Sequence, residues 1–145
     1  MAPKLEQVFT LRAFLSKEDL LAFGPIKGPQ LVQGGSDWLL LDPTTNIAHL
    51  DIRTQARTAE GGYIYMHYPG ILRMDDATQK ALQWSPDAKT TRSEDHYFMT
   101  TPIYETSSEE LKWIEQSLFI GHGHWHIPGD GTQAVEYEIY KVVSA

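Results

Sequence analysis

Ile47-Ala-His-Leu-Asp-Ile-Arg-Thr-Gln-Ala-Arg57, then Thr58-Ala-Glu-Gly-Gly62, then Tyr63-Ile-Tyr-Met-His-Tyr68 is the stretch whose reading decides the fold. In an extended chain successive side chains point to opposite faces. Ala48, Leu50, Ile52 and Ala56 therefore share one face, and His49, Asp51, Arg53, Gln55 and Arg57 share the other. The second run alternates in the same way, with Tyr63, Tyr65 and His67 on one side and Ile64 and Met66 on the other. The Glu60-Gly61-Gly62 break supplies the positive-φ positions a hairpin turn requires, so two long antiparallel strands are predicted.

Further strands are predicted on either side of this hairpin. Val8 to Leu15 and Trp38 to Leu41 are apolar and rich in β-formers, and a short strand fits Gln30 to Gln33 between Gly and Pro breaks. His96 to Glu105 is strand-like, with Pro102 confined to an edge, end or bulge because it has no N–H to donate. Phe119 to Ile127 and Ala134 to Val143 read as a last strand pair across Pro128-Gly-Asp-Gly131. Helical signals are few. One or two turns fit Ser16 to Gly24, a short helix fits Asp75 to Trp84, and a helix behind Ser107 and Glu110 has capping-box spacing with Leu111, Ile114 and Leu118 on one side. Seven or more strands without βαβ alternation predict an all-β fold: a single antiparallel β-barrel with one or more short helices, occupying residues 1–145 as one domain.

Composition agrees with a soluble globular chain. With 145 residues, 41% of them hydrophobic, the chain can bury roughly two-thirds of its unfolded surface. A net charge of −7 and scattered Lys and Arg residues disfavour nucleic acid as a partner. The absence of cysteine removes disulfides, thiolate nucleophiles and Cys-ligated metal. Residues 1–23 are interrupted by Glu6, Arg12, Lys17, Glu18 and Asp19, so neither a signal peptide nor a membrane span is expected, and the cytoplasm is the expected location. No Gly-x-Gly-x-x-Gly, Walker loop, Gly-x-Ser-x-Gly elbow or His-Glu-x-x-His helix is present, and no cofactor is expected.

An ordered set of segments resembles the domain-of-unknown-function 3237 family. They are Gly34-Gly-Ser-Asp-Trp38, Leu50-Asp-Ile-Arg53, Gly61-Gly-Tyr-Ile-Tyr65 with Gly70, Tyr97-Phe-Met-Thr-Thr-Pro-Ile-Tyr-Glu-Thr106, Trp113, and Phe119-Ile-Gly-His-Gly123. The resemblance runs from Leu5 to Val142 and implies a closed antiparallel barrel, found in bacteria and fungi and mostly without assigned activity. Some fungal relatives resemble cofactor-free enzymes of polyketide pathways that close an oxygen-containing ring by adding a hydroxyl across an alkene. This chain departs from the pattern in a shorter segment between Leu21 and Gly34 and in His124-Trp-His126 after Gly123.

Several residues have the chemistry such a reaction needs. Asp37, between a Gly-rich turn and Trp38, is either a turn cap or a carboxyl pressed against an aromatic wall and able to stay protonated near neutrality. Asp51 and Arg53, with Tyr63, Tyr65 and His67 beside them, form either a polar lining inside the barrel or a solvated outer face. His122, His124 and His126 have strand spacing, so they are metal ligands or a surface or rim cluster, with His122 the better placed as a pocket base. Trp38, Tyr65, Tyr97, Phe98 and Trp113 are candidate aromatic walls, whereas Phe9, Phe14 and Tyr140 are expected in the core.

The expected function is therefore a cofactor-independent cyclase or isomerase closing an oxygen heterocycle on a small aromatic, polyketide-type substrate. Asp37 is the first candidate acid, Asp51 and Glu105 stand behind it, His122 is the base, and Arg53 holds the electron-rich oxygen. A non-catalytic barrel for a small apolar ligand and a metal-dependent hydrolase using the histidines are the alternatives. A homo-oligomer stays open.

Overall fold

The computed structural model describes residues 1–17, 27–32 and 35–145, with 27–32 described by backbone alone. Among these residues nine strands form one antiparallel sheet. They are β1 (Lys4–Phe14), β2 (Lys27–Val32), β3 (Gly35–Asp42), β4 (Ile47–Arg57), β5 (Tyr63–Arg73), β6 (Phe98–Thr100), β7 (Ile103–Thr106), β8 (Phe119–His126) and β9 (Ala134–Val143). Among the described residues one α-helix, α1 (Asp76–Leu82), follows β5. Across the sheet the order is β1-β9-β8-β6-β5-β4-β3-β2, with β7 also paired to β5.

The β4–β5 hairpin forms as its alternation predicts, paired from Ile47–Arg73 to Arg57–Tyr63. Thr58 N–H donates to Gly62 O at 2.8 Å and Gly61 N–H to Thr58 O at 3.1 Å, and Gly61 takes φ +86°, a left-handed conformation that favours glycine. The apolar face turns inward: Ala48, Leu50, Met66, Tyr68 and Leu72 are all buried. His49, Arg53, Gln55 and Arg57 face outward.

The sheet curls until its two ends border the same interior, since Ala13 and Leu15 at the end of β1 and Gly35, Asp37 and Leu39 on β3 line one cavity. The all-β class holds, and closure is the point of correction. Among the described residues no ladder joins β1 to β2, so the wrap is barrel-like without a continuous hydrogen-bonded seam.

Two aromatic groups fill the interior. Tyr68, Phe98, Trp125 and Tyr137 pack with ring centroids 5.3–5.9 Å apart. Phe9, Tyr104, Trp113 and Phe119 form the second group, at 5.2–6.4 Å. Phe9 is thus in the core as expected. Phe14 is 51% exposed and Tyr140 lies among the outward residues of β9, where its hydroxyl donates to Glu138. Strand alternation puts both with the outward set, which their hydrophobicity alone does not reveal.

α1 is held by its N-cap. Asp75 accepts the Thr78 N–H at 2.7 Å through Oδ1 and meets His96 Nδ1 at 2.5 Å through Oδ2. His96 Nε2 pairs with Thr91 Oγ1, which accepts the Trp125 N–H, so one polar chain ties α1 and the 91–96 segment to β8.

The helix expected behind Ser107 is a 3₁₀ segment, Glu109–Gln116, without the capping box. Tertiary and local side-chain bonds compete with the box and win. Ser107 Oγ accepts the N–H of Tyr63 on β5, Thr106 Oγ1 accepts Ser108 N–H, and Glu115 reaches back to the Thr106 N–H. His96 to Glu105 divides into β6 and β7 at Thr101-Pro102, where Pro102 has no N–H for the ladder. The short strand expected at Gln30–Gln33 is β2, and the turn expected over Ser16 to Gly24 lies outside the described residues from 18 onward.

Candidate functional site

Inside the wrap is a cavity of about 350 Å³, within the range of small-molecule sites. Its walls are mainly apolar: Leu39, Leu50, Ile52 and Leu72 with the rings of Phe98 and Trp125. Asp37 brings a carboxyl to that lining, and Tyr68 and Tyr137 bring two phenols.

Each of the three is placed by strand parity. Asp37 pairs with Ile52, so both point inward, whereas Ser36 pairs with Arg53 on the outer side. The β3–β4 pairing runs from Gly35–Thr54 to Asp37–Ile52 and resumes at Leu40–His49. In that gap the Asp51 N–H donates to Asp37 Oδ1 at 3.1 Å. Tyr68 continues the inward series Ile64, Met66 along β5, and Tyr137 sits between Val135 and Ile139 on β9, all of them inward.

Burial in apolar surroundings pushes the Asp37 carboxyl up to about 6; the Asp51 N–H partly opposes this and the Asp51 charge adds to it. Burial also raises the pKa of Tyr68 and Tyr137, and the nearby Asp37 charge raises both further. The three groups thus sense one another within one low-dielectric space. Such an arrangement can give a proton, take it back and donate two hydrogen bonds.

Gly123 shapes one wall. A Cβ there would lie 2.7 Å from the Phe98 ring, so this glycine lets a core aromatic lie flat on β8.

The other residues singled out in the sequence lie elsewhere. Asp51 and Arg53 belong to the outer face, where Asp51 Oδ1 meets His67 Nε2 at 3.0 Å and Arg53 bonds the Tyr65 hydroxyl at 3.2 Å. The ionisable face of the hairpin is solvated because the apolar face of the same strands takes the interior. Glu105 and Tyr65 border a shallow outer depression together with Tyr63 and Ile103. Trp38 is 49% exposed, one residue out of phase with Asp37. Tyr97 is 45% exposed beneath the Arg73 guanidinium, and Trp113 packs on Phe9 and Phe119 in the second aromatic group. Of the expected aromatic walls, Phe98 lines the cavity.

His122, His124 and His126 alternate with Gly121, Gly123 and Trp125, and only the latter series turns fully inward. His124 Nε2 lies 3.4 Å from Glu136, and His122 is opposite Glu138 in register. Among the described residues no group of three or more His, Asp or Glu side chains is disposed to hold a metal ion. No helix among the described residues is long and apolar enough to cross a membrane.

Tyr68, Tyr137 and Trp125 escaped the sequence reading. The alternation that groups Ile64 with Met66 extends to Tyr68, and Val135, Tyr137 and Ile139 share one face of β9, so the sequence carried a signal for both tyrosines.

A family model described as "Protein of unknown function (DUF3237)" matches residues 3–142. Solved structures share the architecture. A conserved protein of unknown function from Rhodopseudomonas palustris has TM-score 0.76 and 24% identity, over 99% of this chain and 100% of that one. A protein of unknown function from Clostridium acetobutylicum has TM-score 0.68 and 21% identity, over 97% and 99% of the two chains. A beta-barrel like protein from Acinetobacter baumannii has TM-score 0.62 and 20% identity, over 98% and 97%. No curated protein matches.

Proposed function

This chain belongs to the DUF3237 family of proteins of unknown function, and we propose from its cavity that it is a cofactor-independent isomerase that closes an oxygen heterocycle. The observation that carries the proposal is a carboxyl, that of Asp37, held in an apolar cavity with its pKa raised to about 6. About one such carboxyl in ten is protonated at pH 7, far more than for an ordinary aspartate.

In the proposed reaction Asp37 transfers its proton to one alkene carbon of the substrate, forming a C–H bond. The substrate hydroxyl oxygen attacks the other alkene carbon, forming the C–O bond, and its proton passes to the Asp37 carboxylate. The acid is regenerated, no other reactant is consumed, and the product is an isomer of the substrate. One residue thus acts as acid and then as base, and neither His122 nor Arg53 is required. The rings of Phe98, Trp125 and Tyr68 favour positive charge developing beside their faces, and the dry walls hold the hydroxyl near the alkene.

The test uses ortho-prenylated phenols and naphthols in D₂O. Wild-type protein should convert them to ring-closed isomers carrying one deuterium on the former alkene carbon, and Asp37→Asn should abolish the conversion. Conversion unaffected by Asp37→Asn would remove the proposed acid. The largely apolar lining favours one second reading, a binding protein that leaves its ligand unchanged. Saturable binding without conversion by wild-type protein would establish that reading instead.

A further inference from the structure

Tyr68 and Tyr137 are 2% and 1% exposed, and among the described residues neither phenolic oxygen makes a hydrogen bond. Among the described residues, the polar side-chain atoms that are both unpaired and sealed by packing are Tyr104 Oη, His122 Nε2 and His124 Nδ1. The oxygens of Tyr68 and Tyr137 are not among them. The open space they meet is therefore the cavity both residues line. A buried hydroxyl left without a partner costs roughly 1 to 3 kcal/mol, so two such donors on one wall are a demand for acceptors.

The charges around the cavity restrict what can meet that demand. On β3 the facing group is Asp37, on β5 Tyr68 and on β9 Tyr137, while α1, β6 and β8 contribute the neutral Leu82, Phe98 and Trp125. Behind Asp37, on the far side of the sheet, stands Asp51. Arg12 on β1 is the one cation in the described lining, and Glu136 holds its guanidinium. An anionic ligand would place a second negative charge beside Asp37 with no free cation among the described lining residues to balance it, which a low-dielectric site penalises heavily.

We infer that the cavity selects an uncharged aromatic ligand in which a hydroxyl neighbours a carbonyl oxygen, with Tyr68 and Tyr137 donating to the carbonyl and Asp37 engaging the hydroxyl. The aromatic body fills the apolar remainder between Leu50, Leu72, Phe98 and Trp125. This rests on the same cavity as the proposed reaction and names the chemical class it accepts. Tyr68 and Tyr137 act as positioning residues that bring the ligand hydroxyl to Asp37.

Two inert probes of nearly the same shape separate the possibilities: 1-hydroxy-2-acetonaphthone, which is neutral, and 1-hydroxy-2-naphthoate, which carries a carboxylate. Binding to the full chain at pH 8 is read from quenching of tryptophan fluorescence and checked by equilibrium dialysis. The neutral probe should bind at least about tenfold more tightly than the carboxylate. Tyr68→Phe and Tyr137→Phe should each weaken the neutral probe about five- to tenfold while keeping the wild-type unfolding midpoint. Asp37→Asn should bring the two probes to within about threefold of each other. Equal or tighter binding of the carboxylate, unchanged binding in both Tyr→Phe variants, or saturable binding of neither probe would each overturn the inference. Neither probe has an alkene, so these measurements do not involve turnover. Selective binding without conversion of the prenylated phenols would leave ligand selection standing and remove the acid chemistry.

Discussion

Asp37 and Asp51 stand back to back across one sheet, joined by a 3.1 Å hydrogen bond from the Asp51 N–H to the Asp37 carboxyl while their side chains serve opposite faces. Asp51 belongs to the outer, solvated surface with His67, and Asp37 to the cavity with Tyr68 and Tyr137. Two carboxylates fourteen residues apart in sequence thus differ in environment by the thickness of the sheet. That difference, and not residue type, makes one of them a candidate acid.

Burial of Asp37 carries a stability cost with a defined pH dependence. Its folded pKa is raised, so the folded chain holds this proton to higher pH than the unfolded chain does. Stability is therefore lost as pH rises from the ordinary carboxylate range through about 6, and the loss is complete above it. Asp37→Asn keeps an acceptor for the Asp51 N–H and removes the charge. It should stabilise the protein at pH 8, by up to roughly 3 kcal/mol, and change little at pH 4. Urea unfolding at the two pH values checks this, and equal effects at both would contradict the assigned environment.

Gly123→Ala should push the Phe98 ring off β8 and into the cavity, because the new methyl would overlap it. Overpacking of this kind costs roughly 1 to 3 kcal/mol. The distinguishing result is a larger proportional loss of 1-hydroxy-2-acetonaphthone binding than the same change causes at Gly62, which lies in the hairpin turn beside Thr58 and Ser108 and is not part of the cavity lining.

Asp75→Ala removes an N-cap and strands the imidazole of His96, whose side chain is 1% exposed. Cap loss of about 1 kcal/mol and an unpaired buried polar group of about 1 to 3 kcal/mol give an expected destabilisation of roughly 2 to 4 kcal/mol in chemical denaturation. The Asp75 carboxyl meets a desolvation penalty, but bonds from Thr78 and His96 outweigh it and hold it below the usual range. Its contribution should therefore disappear as pH falls through that lowered value, and the gap between wild type and variant should narrow in acid.

Arg53→Ala should leave both folding and ring closure nearly unchanged, with stability within about 0.5 kcal/mol and rate within about twofold. Its guanidinium bonds the exposed Tyr65 hydroxyl and reaches no part of the cavity. A large loss of conversion in this variant, with normal unfolding, would relocate the reaction to the outer face.

Alternation in Ile47–Arg57 and Tyr63–Tyr68 was enough to establish the central hairpin, its turn and the sharing of side chains between two faces. This followed because a strand has a period of two, whatever it packs against. Asp37 was legible from its place between a Gly-rich turn and Trp38, and Phe98 from the family-like segment around it, while the period of two extends to Tyr68 and Tyr137. Which face became the interior was a matter for the whole sheet. Only when β9, β8, β6, β5 and β4 are laid side by side do Leu50, Leu72, Trp125 and Tyr137 gather, and the water they exclude drives that face inward while His49, Arg53 and Arg57 remain outside. Local sequence therefore settled what could share a face, and tertiary structure settled which face met water, because the free energy of burial belongs to the assembled surface and not to any one strand.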